Sequence, residues 1–244
     1  MTTPLHILVT GASRGIGAAI VEALAGQRVA GHSSRGGPGP ESRPDDGLIA
    51  ADLAEPGAAP CLWEAALERL DGRIDVLVNN AGIFEAAPLD LSHEEWVAQW
   101  ERTARINLTA AAELCRLAVR HFRERGEGGR IVNVASRAAY RGDSPDHWHY
   151  AASKAGMAAM TKTIARGYAS EAICAFCVCP GFTVTGMVED YVASRGGGAF
   201  LADIPLGRPA STAEIAETVR WLALDAPASA TGAVIDVNGA SFVR

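Results

Sequence analysis

Two periodicities alternate along this chain. Short apolar runs lie at 5–10, 28–32, 47–51, 74–79, 129–135, 173–179 and 233–237. Between most of them, apolar residues recur every three or four positions, at 15–26, 57–70, 92–124, 150–170 and 212–224. The first pattern predicts strands and the second predicts helices. Strands that alternate with helices pair in parallel, because each crossover returns the chain to the same end of the sheet. The run Ile74-Asp75-Val76-Leu77-Val78 is apolar nearly throughout, as a strand covered on both faces requires. The pattern predicts one α/β domain over 1–244, a doubly wound parallel sheet of about seven strands with helices on both faces. In such sheets ligands sit beyond the carboxyl ends of the strands. Thr10, Asn79, Ser136 and Pro180 all fall at those ends.

Two stretches break the alternation. Residues 33–46 carry three Gly and three Pro and cannot form a helix, so an irregular loop is expected where a crossover helix would stand. Residues 183–203 include Arg195-Gly196-Gly197-Gly198, a hinge-like run.

Candidate chemistry follows from three features. Tyr150 and Lys154 are spaced to share one helix face. An ammonium there would favour the phenolate and lower a pKa that ordinarily lies near ~10. Ser136 ends a strand-like run fourteen residues upstream of Tyr150. At the front of the chain, Thr10-Gly11-Ala12-Ser13-Arg14-Gly15-Ile16-Gly17 joins a strand to a helix. Glycines in that context let backbone approach a pyrophosphate and aim the helix N-terminus at it.

These features together resemble the short-chain dehydrogenase/reductase family, in its single-domain Rossmann form. Asn107, Ser136, Tyr150 and Lys154 match its catalytic tetrad in order and spacing. The resemblance implies that Gly11, Ser13, Arg14, Gly15, Ile16 and Gly17 form the cofactor turn, and that Asp52 and Leu53 meet the adenine. It places Asn79, Ala81 and Gly82 beside the cofactor after the fourth strand. Pro180, Gly181, Thr183 and Thr185 match the turn that meets the nicotinamide. Tyr150 and Lys154 would also contact the cofactor, and Asn107 would break its helix locally behind Lys154. The tail Ile204-Pro205-Leu206-Gly207-Arg208-Pro209 is similar to the 3-oxoacyl-carrier-protein reductase branch.

Charge then refines the cofactor. NAD-binding relatives place an acid just past the second strand. Here that place reads His32-Ser33-Ser34-Arg35, with no acid. Ser34, Arg35 and Arg14 are therefore expected to meet a 2′-phosphate, and NADP (as NADPH) is the expected cofactor. The substrate is read only as a ketone or secondary alcohol, carrier-linked or free, including sugars and polyols. Arg137 and Arg141 hint at an acidic ligand, whereas Glu171 stands where carrier-protein reductases tend to have a base. A protein that merely senses the nucleotide would tolerate damage to Ser136, Tyr150 or Lys154, and none is damaged.

Composition adds exclusions. A net charge of −6 over 244 residues argues against nucleic-acid or membrane-surface partners. No apolar run spans a bilayer, so a cytoplasmic protein is expected. Cys174, Cys177 and Cys179 read as small buried hydrophobes. His147 and His149 read as pocket or surface residues, and no metal site is expected. Small residues on the 150–170 helix, among them Ala151, Ala152, Ala155 and Gly156, lead to an expected homotetramer or homodimer.

Overall fold

A computed structural model describes residues 3–36, 47–184 and 203–244. Its centre is one parallel seven-stranded sheet: β1 (His6–Val9), β2 (Arg28–Ser33), β3 (Ile49–Ala50), β4 (Val76–Asn79), β5 (Gly129–Val134), β6 (Ile173–Pro180) and β7 (Val234–Val237). The spatial order is β3-β2-β1-β4-β5-β6-β7. The chain thus starts in the middle, builds outward to one edge, then returns to build the other. The order reverses between β1 and β4, whose ends open the crevice that will hold the site.

Side-chain parity divides the core. Leu8, Leu77, Ile131 and Ala175 point to one face. There they meet Leu62 of α2 (Ala58–Arg69), Leu114 of α4 (Ala110–Arg125) and Ile164 of α6 (Trp148–Tyr168). Ile7, Val9, Val76, Val78, Val132 and Phe176 point to the other. Those pack on Ile20 of α1 (Gly15–Ala23) and on Ile215 and Val219 of α7 (Thr212–Leu224). Both faces of the central strands are therefore dry, which is why these strands read as continuous apolar runs.

The helical stretch expected at 92–124 divides in two. α3 (His93–Ala104) starts on a capping box of Ser92 and Glu95. A π-helical segment, Arg105–Thr109, then separates it from α4. No Gly or Pro stands at this break. Its cause is the buried amide of Asn107, whose Nδ2 donates to Ile83 O at 3.0 Å while Oδ1 accepts from Ile83 N at 2.8 Å. Such insertions widen one helical turn and commonly accompany functional residues.

A short helix, α5 (Ala138–Arg141), has no counterpart in the sequence reading. β3 shrinks to two residues from the run expected at 47–51. The Gly/Pro-rich loop from residue 37 to 46, with Arg43, lies outside the described residues, as does most of 183–203. Among the described residues no helix is long and apolar enough to cross a membrane.

Candidate active site

The ends of β1, β4, β5 and β6 surround a cleft of about 1090 Å³. Its floor is the glycine turn. Gly11 and Gly15 take φ values of +67° and +57°, which favour glycine. A Cβ on Gly17 would lie 1.9 Å from Gly11 O, so that helix could not sit so close to the turn with any other residue. Arg14 precedes α1 in extended conformation and supplies no side-chain cap, and the first turn holds no acid. α3 and α7, by contrast, each close their N-termini with a capping box. The first amides of α1 are thus left for a group in the cleft, a fit for a pyrophosphate.

Neighbouring strand ends hold this turn in place. Thr10 Oγ1 accepts from the amides of Asn80 and Ala81, each at 3.0 Å. Asn80 Nδ2 donates to Thr10 O and Gly11 O, also at 3.0 Å. His32, buried at the end of β2, accepts from Gly11 N at Nδ1 (3.2 Å). Its Nε2 then donates to Ala51 O (2.8 Å). Burial lowers its pKa below 6.5, which keeps the neutral tautomer that both bonds require. One imidazole therefore ties together the ends of β1, β2 and β3. The sequence reading had no role for His32, since its partners lie about twenty residues away on either side.

At the outer end of the cleft stand Ser34, Arg35, Arg14 and Asp52, all exposed, with Ser13, Ile16 and the buried Leu53. Among the described residues neither Arg14 nor Arg35 forms an ion pair, and no acid follows β2 before residue 37.

At the inner end the tetrad residues meet. Ser136 leaves β5, and its Oγ accepts from Ala138 N at 3.1 Å, which starts α5. Tyr150 and Lys154 rise from α6. Lys154 is 4% exposed, and its ammonium donates to Val134 O at 2.9 Å and lies 5.8 Å from the Tyr150 ring centroid. A Cβ built on Gly82 would lie 3.3 Å from both Asn107 Oδ1 and Lys154 Nζ, so the two side chains meet at Gly82. Ala81 and Gly82 line the same wall, and Pro180, Gly181 and Thr183 close the other side. Gly181 is pressed against Asn238, leaving no room for a side chain.

Three expectations need correction. Asn79 does not face the cleft. Its Nδ2 turns into the sheet's α4 face, donating to Asn133 Oδ1 at 2.9 Å and to Cys115 Sγ at 3.2 Å. Strand parity explains this, because Asn79 shares a face with Leu77, and Asn80 lines the cleft instead. Second, the Tyr150 phenol is not lowered in this structure. Burial pushes it up to about 12, with a hydrogen bond from Ser136 pulling the other way. The same burial brings Lys154 down to about 8. Desolvation is the largest cause in both cases, opposed by the Ser136 hydrogen bond at Tyr150 and by the charges of Cys177 and Cys179 at Lys154. Third, His147 and His149 are neither surface nor cleft residues. Both are buried, His147 stacked on Phe84 at 3.9 Å and His149 bonded to Glu85 O at 3.0 Å. Thr185 lies outside the described residues.

Comparison with known proteins bears on the whole arrangement. A family model described as short chain dehydrogenase matches residues 5–196. The chain is 37% identical to a 3-oxoacyl-[acyl-carrier-protein] reductase of Synechocystis, over 95% of this chain and 94% of that protein. It is 36% identical to an acetoacetyl-CoA reductase of Shinella zoogloeoides, over 96% and 97%. The ligand-free aldohexose dehydrogenase of Thermoplasma acidophilum superposes with a TM-score of 0.85 at 26% identity. That match covers 99% of this chain and 95% of the other.

Proposed function

The chain belongs to the short-chain dehydrogenase family, and on that premise we propose that it is an NADP-dependent oxidoreductase of ketones and secondary alcohols. The observation that carries the reading is the meeting of the half-buried Tyr150 and the buried Lys154 beside Ser136, at the inner end of the cleft whose floor is the glycine turn. Gly11, Ser13, Gly15, Ile16 and Gly17 would hold the pyrophosphate half of the cofactor. Asp52 and Leu53 would border the adenine, and Ala81, Gly82, Pro180, Gly181 and Thr183 the nicotinamide half. A nicotinamide bound there supplies the hydride donor or acceptor.

The chain's own residues manage the proton. With its pKa held near 12, Tyr150 is protonated throughout the physiological range, and it donates to the ketone oxygen as negative charge develops there. Ser136 donates a second hydrogen bond to that oxygen. Lys154, cationic below about 8, stabilises the phenolate left behind. Asn107, bonded to Ile83 and to Ser153 of α6, would support the site from behind. Alcohol oxidation runs these transfers backward and requires the phenolate, so it is favoured by alkaline conditions.

Two finer points belong to the same reading. Arg14 and Arg35 support NADP, since exposed guanidiniums with no acid between them suit a 2′-phosphate. Such a contact contributes roughly 1.5–3 kcal/mol, about ten- to a hundredfold in affinity. Substrate delivery by a carrier protein is less supported than a free ketone. Arg123 donates to Glu171 at 2.7 Å, so a base on that face is already matched by an acid. All five thiols are free, which suits a cytoplasmic setting.

The experiment is turnover by purified protein on free ketones and their acyl-thioester counterparts, with NADPH and NADH. NADPH should be preferred, and Arg14→Ala should erode that preference more than Arg35→Ala because Arg14 sits on the rigid turn. A wild-type preference for NADH would overturn the NADP reading. Failure to oxidise either cofactor with any ketone would overturn the activity.

A further inference from the structure

Proton transfer leaves two cationic side chains at the inner end of the cleft unused. Arg137 follows Ser136 directly, and Arg141 lies one turn further along α5. Both border the cleft with Ser136, Tyr150, Phe182 and Asp203. Arg137 is held firmly. Its amide donates to Pro180 O at 2.9 Å, and its guanidinium lies 4.3 Å from the centre of the Phe182 ring. Its side chain is 11% exposed. Arg141 is more open, at 36%. Asp203 Oδ2 approaches both, at 2.5 Å from Arg141 and 3.6 Å from Arg137. Asp143 also borders this end, with Oδ1 accepting from Ser144 N at 2.8 Å.

We propose that Arg137 and Arg141 recognise an anionic group of the substrate, set away from its reacting carbon, and that Asp203 occupies their guanidiniums until the substrate arrives. This deepens the oxidoreductase reading and rests on it. A guanidinium stacked on an aromatic ring has already lost much of its freedom, so engaging an anion costs little further order. Asp203 is 45% exposed, and an ion pair that open to water is weak. An anion carried into the cleft by a substrate binds where water is scarcer and gains more from the same cations. Carboxylate and phosphate both match the planar fork of arginine.

The test compares three homologous series of four to seven carbons: oxo acids, their methyl esters, and oxo phosphates of the same length. The readout is kcat/KM with NADPH for wild type, Arg141→Gln and Asp203→Asn. One of the two anionic series should exceed the esters by about ten- to a hundredfold. Which series does so decides between carboxylate and phosphate. Arg141→Gln should pull the anion-to-ester ratio toward one. Asp203→Asn should raise it, mainly through a lower KM for the anion. A purely structural tether from Asp203 to α5 predicts something else, since losing either partner would then depress ester and anion alike. That result, or wild-type use of neither anionic series above the esters, overturns the proposal while ester turnover keeps the oxidoreductase reading intact. If no series is turned over, the oxidoreductase reading fails. Calorimetric binding of the same oxo acids and phosphates, weakened by Arg141→Gln or not, then decides the proposal.

Discussion

A single phenol and a single amine carry most of the chemistry proposed for this chain, and burial displaces the pKa of each from its solution value. Tyr150, protonated at neutral pH even with an ordinary value near ~10, is held in that form more firmly because burial outweighs the Ser136 hydrogen bond. Tyr150→Phe removes only that proton, so reduction should fall by about 10²–10⁴ while NADPH still binds with near-normal affinity. Stopped-flow turnover alongside a fluorescence titration separates the two. A mutant that still turns over normally removes Tyr150 from the mechanism. Lys154 has a stability consequence as well. Its pKa drops from 10.5 to about 8, so between those values the folded chain binds fewer protons than the unfolded one. Wild-type stability therefore rises as pH climbs from 8 to 10.5, and the buried charge costs its full amount below 8. At about 1.36 kcal/mol per pKa unit the cost is roughly 3 kcal/mol at neutral pH. Lys154→Met should accordingly gain about that much on wild type at pH 7 relative to pH 10.5, while losing activity. Urea unfolding at the two pH values measures it, and a mutant-to-wild-type difference that ignores pH would contradict it.

At the scale of elements, the site depends on strand ends being held in register. His32 does much of this, bonding β1 through Gly11 N and the exit of β3 through Ala51 O. Its pKa is depressed, so the stability it contributes is complete above 6.5 and is lost as pH falls toward the folded value. Protonation turns Nδ1 into a donor facing the Gly11 amide, which also feeds the cofactor turn. Cofactor affinity and stability should thus both weaken on acidification below 6.5. His32→Phe should remove this component and cost about 1–3 kcal/mol for each backbone group left without a partner. Denaturant midpoints of both proteins between pH 7.5 and 5 provide the comparison, with parallel curves counting against the role. The π segment at Asn107 is another joint of this kind, made where a side-chain amide outcompetes regular helix bonding.

For the whole molecule, the question is what covers its outer helices. Trp148 is 52% exposed and its ring centre lies 6.2 Å from that of Trp96, which in turn lies 5.4 Å from Trp100, so the three group across α6 and α3. The small residues of α6 divide their duties. Ala158 is buried in the subunit and Gly156 packs on Leu108, while Ala152 and Ala159 are exposed. An exposed aromatic group beside a thin helix face suits a second copy of the chain. We expect a homotetramer, or otherwise a homodimer, and expect Trp148→Glu to shift it toward the 25.5 kDa protomer. Light scattering at micromolar concentration reads both, and a wild-type monomer would rule the assembly out.

Local pattern determined the seven strands, most of the helices and the positions of Gly11, Ser136, Tyr150 and Lys154 at strand ends or on one helix face. Periodicity and turn chemistry act between near neighbours, and near neighbours are what a sequence displays. Parity along β4 could also have turned Asn79 inward and Asn80 toward the cleft, a signal present but not used. What only the folded chain decided depends on groups far apart in sequence. The break at Asn107 is implied by the family resemblance, but its π form and its cause, the backbone of Ile83 twenty-four residues away, come from the fold. The neutral state of His32 and the opposed shifts of Tyr150 and Lys154 come from burial. Desolvation is a property of everything packed around a group, so no spacing of residues announces it. The same holds for Asp203 beside Arg137 and Arg141, a charge brought from more than sixty residues away to the inner end of the cleft.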